Sequence, residues 1–291
     1  MRGLVTDETR GAGARSDLAA LLRRHDRDRF QTALFAPAAR RHGLFALYAF
    51  NFEIARVREI VTEPMLGRIR LEWWRETIEA AFEGGPVRHH PVASALAATI
   101  AEFALTRAPL DRLVDSRERD ILDEPPPSLP ALEAYAEDSS AGLVALALEV
   151  LGVRSPGAAG AARGVGIGYA LAGLLRAMPF HARAGRCYLP AEIAGRAGLD
   201  PADYAALRGS PALRATVAEL ADRAAQQLRG ARERRAAVPR SARAALLPAV
   251  IAERFLARLK AAGYNPFDGR LAAPDPLQSW RLAAAALFGR F

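Results

Sequence analysis

A helix drawn through Tyr48 to Glu59 places Asn51, Ala55 and Glu59 at i, i+4 and i+8, on one face. Carboxylates at that spacing could hold magnesium, which takes hard oxygen ligands and bridges to phosphates. Only Glu59 of the three is an acid, and Arg56 adds a positive charge beside it. A second segment, Leu174 to Pro190, carries Arg176, Ala177, His181, Arg186, Cys187 and Tyr188. His181 is a candidate ligand or general base, but no partner stands at ligand spacing, so a structural duty is the stronger reading. His89 and His90 lack a third ligand. No residue is assigned a catalytic role, and no metal ligand is assigned.

Other patterns have plainer readings. Trp73 and Trp74 project about 100° apart on a helix, so one can pack while the other faces a cavity. Gly164-x-Gly166-x-Gly168 has no strand before it and is expected to let helices approach closely rather than cradle a dinucleotide. The arginine-rich stretch from Arg229 to Arg240 is a solvated face or a contact for anionic lipid headgroups. No base-reading motif accompanies it, and nucleic acid is not an expected partner.

The elements that must position these residues are helices throughout. Alanine and leucine abound, and no strand-like alternation persists. A first helix starts near Ser16-Asp17 with Leu18, Leu21 and Leu22 on one face. Pro37 opens a second helix reaching Glu63, and Pro64 opens a third running to Phe82. Further helices are expected over about 91–105, 109–122, 130–152, 158–178, 211–236, 240–262 and 276–288, separated by proline and glycine breaks. Pro179 is expected to bend the helix that contains it. The connections are short, so residues 17–291 read as one all-α domain after an N-terminal tail over 1–16.

The composition is that of an ordinary globular chain: 291 residues, 51% hydrophobic and 25% charged. Its single cysteine, Cys187, excludes an intrachain disulfide. The net charge is +8, and Lys260 is the only lysine. Such a chain is attracted to anionic lipid or diphosphate. Residues 1–24 show no apolar core of a secretory signal, and the longest apolar candidate for a span, Ala141 to Val153, is too short and holds Glu149. A cytoplasmic protein, peripheral to the inner membrane, is therefore expected.

Several stretches resemble the squalene/phytoene synthase family of prenyltransferases. They are Leu47-Tyr48-Ala49-Phe50, Trp73-Trp74-Arg75, Gly166 to Arg176, and the ending Gly185-Arg186-Cys187-Tyr188-Leu189-Pro190. The likeness covers about residues 17–270. The family pattern Tyr-Ala-Phe-Cys-Arg-x-x-Asp-Asp-x-x-Asp, started at Tyr48, meets Ala55, Arg56 and Glu59 at its acid positions. The pattern Leu-Arg-Asp-x-x-x-Asp meets Ala177 and His181. Tyr135 to Leu143 matches the family's central helix loosely, with Ala141 where a glycine is usual. Within the family, Asn51 to Ala55, Arg58 to Pro64, Leu175 to His181 and Tyr264-Asn265-Pro266-Phe267 look most like a branch of respiratory complex I assembly factors and their alphaproteobacterial relatives.

The resemblance implies an isoprenoid-synthase-like helical bundle in which helices 38–62 and 158–178 line a central cavity. It makes Tyr48, Arg70, Trp74, Asp138, Arg176, Arg186 and Tyr188 candidate cavity or ligand-binding residues. Two functions follow. One is a non-catalytic member acting in complex I assembly or lipid binding, with a complex I subunit or assembly intermediate, an isoprenoid or lipid, and a weakly held anionic membrane surface as partners. The other is an active prenyltransferase joining isoprenoid diphosphates through an altered site. No cofactor is expected for the first, and magnesium only for the second. Two diphosphates bring several negative charges into a low-dielectric site, and one glutamate cannot organise the metal cluster that would balance them.

Overall fold

Proline and serine set most helix starts. Ser155 and Ser210 each precede a proline, and each side chain accepts from the backbone N–H three residues on. The proline supplies a pre-set φ where its missing N–H is not needed, and the serine satisfies an otherwise orphaned donor. The same devices recur at Pro64, Pro91 and Pro248 and at Ser128.

The computed structural model describes residues 17–61, 63–289 and 291; the tail over 1–16 and the cap at Ser16 lie outside them. Among the described residues every regular element is helical. In chain order they are α1 (17–25), α2 (Arg27–Ala33), α3 (Arg41–Ala55), the short α4 (Val57–Ile60), α5 (Pro64–Glu83), α6 (Pro91–Phe103), α7 (Arg107–Leu122), α8 (Leu129–Ala136), α9 (Gly142–Val150), α10 (Pro156–Arg183), α11 (Ala191–Arg196), α12 (Pro201–Ala205), α13 (Pro211–Glu233), α14 (Pro248–Ala261) and α15 (Gln278–Phe288).

Helix α10 is the central element and packs against α13, α14 and α9. A Cβ on Gly164 would come within 2.8 Å of the Gln227 carbonyl oxygen, and one on Gly168 within 2.6 Å of the Leu228 Cγ, both on α13. The glycine stripe is thus a helix-packing seam, as its context suggested. By length and composition α10 alone among the described residues could cross a membrane. It was not the span candidate read from the sequence, and most of its apolar surface is buried inside the bundle.

Several boundaries differ from the sequence expectation. The helix expected to run unbroken to Glu63 opens as a 3-10 turn at Ala38–Arg40, breaks at Arg56 and ends with α4. The helix expected over 130–152 is interrupted by a π-helical turn at Glu137–Ala141. Helix α10 continues past Pro179 to Arg183. The segment leading into α14 is a 3-10 helix, Arg240–Leu246, and α2, α11 and α12 are additional short helices.

Candidate functional site

Helix α3 brings Asn51 inward because it shares a buried stripe with Leu47, Tyr48 and Ile54. One turn later the stripe is lost. Arg56 has ψ −5° and leaves the helix, so Glu59 on α4 is not in line with Asn51 and Ala55. Glu59 is exposed. The Arg56 guanidinium lies 5.3 Å over the Phe52 ring and 3.6 Å from Glu53, while Phe52 stacks on His25 at 5.0 Å. The face expected to carry Asn51, Ala55 and Glu59 together therefore reduces to one inward amide.

That amide meets a buried network. Asn51 Oδ1 accepts from Arg117 at 3.4 Å. Arg117 also donates to the Ser139 carbonyl at 3.3 Å, to the Tyr135 hydroxyl at 3.3 Å and to Asp120 at 3.4 Å. Asp120 Oδ1 accepts from the hydroxyls of Tyr135 and Tyr188, each at 2.8 Å. Burial opposes the Arg117 charge, but Tyr135 and Asp120 beside it more than compensate and hold its pKa above the ordinary arginine value. Burial, reinforced by Asp120, raises both tyrosines, so they stay protonated and donate. Arg117 Nε and Ser140 Oγ are buried without a hydrogen-bond partner. These side chains from α3, α7, α8, the π turn and the loop after α10 occupy the middle of the bundle.

Helix α10 carries Ala177 and, one turn on, His181, which packs against this network. The His181 ring lies 4.8 Å from that of Tyr188, and its buried Nδ1 has no partner. Burial, then the nearby Arg186, pushes its pKa down to about 4, so the imidazole is neutral. Beside it is a void of about 10 Å³ lined by Leu132, Leu175, Met178, His181 and Tyr188. That is about one water, far short of an isoprenoid chain.

The open space lies one helix away. A groove of about 710 Å³ runs between α2, α10, α14 and residues 266–282. Arg176 opens into it and donates to Asp28 at 2.7 Å; Asp28 also accepts from Gln278 at 2.9 Å and Tyr169 at 3.4 Å. Burial alone would raise the Asp28 pKa, but the Arg176 charge and these hydrogen bonds hold it below the ordinary carboxylate value. Arg183, Arg254 and Arg258 also line the groove, with Phe255 and Phe267 among its apolar walls.

The remaining candidates divide. Tyr188, Asn51 and His181 gather round the centre, and the Arg186 guanidinium reaches the neighbouring Phe180 ring at 5.6 Å. Tyr48 is buried in the core. Trp74 packs edge-on against Phe50 at 5.2 Å and His90 at 5.7 Å, so it serves the core rather than a cavity. Arg70 is exposed on α5, and Asp138 sits 3.7 Å from Arg112 on the outer side of the π turn. Sequence reading missed Arg117 and Asp120. Their signal was positional: both interrupt the buried stripe Leu110, Leu113, Val114, Ile121 on α7.

A family model described as squalene/phytoene synthase matches residues 22–282. The chain belongs to the squalene/phytoene synthase family. Relatives in this family include human NADH dehydrogenase (ubiquinone) complex I, assembly factor 6, 32% identical over 268 residues, covering 90% of this chain and 80% of that one. The Drosophila melanogaster homolog of that factor is 30% identical over 99% of this chain and 87% of its own. A presqualene diphosphate synthase of Sinorhizobium fredii is 27% identical over 190 residues, 65% of this chain and 67% of the relative. Squalene synthase HpnC from Alicyclobacillus acidocaldarius superposes with a TM-score of 0.77 at 25% identity, covering 87% of this chain and 95% of that one. A dehydrosqualene synthase reaches 0.85 at 18% identity over 96% of this chain and 97% of its own, and shows the shared fold.

The magnesium that squalene/phytoene synthase chemistry implies does not suit these residues. Ala55, Arg56, Ala177 and His181 stand at acid positions, and Glu59 faces solvent. No group of three or more His, Cys, Asp or Glu side chains placed to hold a metal occurs among the described residues. The buried carboxylate nearest the centre, Asp120, is already committed to Arg117 and two tyrosines.

Proposed function

We propose that this squalene/phytoene synthase family member performs no head-to-head condensation and instead serves assembly of respiratory complex I. The observation that carries the reading is the filled centre: the Arg117–Asp120–Tyr135–Tyr188 network occupies the middle of the bundle, leaving about 10 Å³ beside His181. The likeness to assembly factor 6 over 90% of the chain supports it. In this role the chain needs no cofactor and acts as a folded partner for a complex I subunit or assembly intermediate. The groove beside Arg176 is available to a lipid or isoprenoid. The +8 charge draws the protein weakly to an anionic membrane surface, from the cytoplasmic side of the inner membrane.

Deleting the gene tests the reading. Assembled NADH dehydrogenase activity should fall while carotenoid, hopanoid or sterol levels hold. Purified protein should release no product from farnesyl or geranylgeranyl diphosphate, with or without magnesium, above an Arg176→Ala control. Lost terpenoids with intact respiration would establish the prenyltransferase instead. That second reading draws on the retained Arg176 and the Gly185 to Pro190 ending, and on the likeness to presqualene diphosphate synthases.

A further inference from the structure

The last helix of the chain, α15, is mounted with its apolar face outward. At 100° per residue, Leu277, Trp280, Ala284, Leu287 and Phe288 share an arc of about 100°. Trp280 is 75% exposed, Leu287 74% and Phe288 67%, and Leu277 is half exposed. The helix is held from its other side, where Leu282 is fully buried, and just beyond its end, where Phe291 is buried. Gly289 closes it with φ +64°. Leu34 and Phe35, both exposed at the end of α2, lie across a shallow groove from Ser279 and Leu282, on the flank of α15 away from that face.

Basic side chains stand along the α2 flank of α15 and at its C-terminal end. Arg23 and Arg27 line the groove shared with α2. At the other end, the Arg243 guanidinium donates to the Gly289 carbonyl at 3.1 Å, and Arg240 stands next to it. Burial and the like charges of Arg240 and Arg235 depress the Arg243 pKa, a sign of cations crowded together. An indole, a phenyl ring and leucines framed by arginines match the interface of an anionic bilayer, where the rings enter the headgroup level and the guanidiniums meet phosphates.

We infer that the outward face of α15 is a membrane-docking surface for anionic lipid, with Trp280, Leu287 and Phe288 entering the interface and Arg23, Arg27, Arg240 and Arg243 meeting headgroup phosphates. Charge decides against a second copy as occupant: two chains of +8 joined through this face would oppose arginine to arginine. The tail over 1–16 is a poor cover, since its large apolar residues are only Met1, Leu4 and Val5. The inference deepens the membrane attraction proposed above by assigning it to one helix.

The test uses the full chain with phosphatidylcholine vesicles, with and without phosphatidylglycerol. Trp74 is buried and Trp73 partly so, which leaves Trp280 as the tryptophan free to report a change of solvent. Binding to phosphatidylglycerol vesicles should shift emission to the blue, and Trp280→Phe should bind but lose the shift. The Trp280→Ser/Leu287→Ser variant, which leaves the net charge unchanged, should bind about tenfold weaker or more at unchanged Tm, because burying each side chain is the driving contact. Undiminished binding by this variant, or binding of the unaltered chain with unshifted emission, would refute the α15 assignment and leave simple charge attraction standing. Absence of any vesicle binding would refute both. A lipid-independent dimer broken by the same variant would make the face a self-association surface and overturn the inference.

Discussion

The Tyr188 hydroxyl donates to Asp120 Oδ1 over 2.8 Å, tying the loop after α10 to the inner face of α7. Tyr188 belongs to the family-like Tyr-Leu-Pro ending, so a framework residue here closes the centre rather than lining an opening. Buried charges demand such closure, because an unpaired ion in a low dielectric is far more costly than a paired one.

Asp120→Asn should destabilise the fold by about 3–5 kcal/mol, since it leaves the Arg117 charge buried without its counter-ion. Tyr188→Phe should cost about 1.5–3 kcal/mol, the worth of one hydrogen bond to a charged group. Urea denaturation of the three proteins checks both. Near-wild-type stability of Asp120→Asn would mean that the network is solvated.

Two glycines on α10 should respond in opposite directions. A Cβ at Gly166 would come within 2.6 Å of the Ala141 backbone nitrogen, whereas one at Gly173 would enter open space. Gly166→Ala should cost about 3 kcal/mol or more, because backbone cannot yield as a side-chain tip can. Gly173→Ala should gain about 0.5–1 kcal/mol from helix propensity. Thermal unfolding reads both changes.

His181 makes stability depend on acid. Its folded-state pKa lies near 4, below the ordinary 6.5, so the unfolded chain takes up the proton more readily. The contribution is complete above pH 6.5 and is lost as pH falls towards 4. Allowing for partial exposure, the loss is on the order of 2–3 kcal/mol. His181→Leu should flatten the denaturation free energy across that window; an NMR titration showing an ordinary imidazole would contradict it.

Glu59→Ala should leave fold and complementation of the deletion strain intact, because the side chain is exposed on α4. Trp74→Ala should fail to complement through lost packing, at about 3–5 kcal/mol, since the indole is buried against Phe50 and His90. A null phenotype from Glu59→Ala would favour the prenyltransferase.

Much of the fold was legible because its punctuation is local. Pro64, Pro91, Pro156 and Pro211 mark helix starts through their own φ and missing N–H. The break at Arg56 was not legible, as Phe52 to Arg58 contains no glycine or proline; Val57 is buried there and Arg58 pairs with Asp123 just past α7, both tertiary effects. The missing acids at 55, 56, 177 and 181 could be read directly. Arg117 and Asp120 left only the weaker signal of interrupting the apolar stripe of α7, because charges three residues apart on a helix normally describe a solvated face. Arg176 was singled out as a cavity candidate, but its partner Asp28, 148 positions away, was not.

Asp28 also bears on the order in which this chain can become complete. Its carboxylate joins Arg176 and Gln278, 148 and 250 positions further along. During synthesis at about 5–20 residues per second, helix α2 emerges long before either partner and must wait for nearly the whole polypeptide to be made. Until then Asp28 and Arg29 border a gap that only α10 and the start of α15 can close. Closing so distant a contact is a late, slow event, and until it happens the apolar flank of α2 stays open to water.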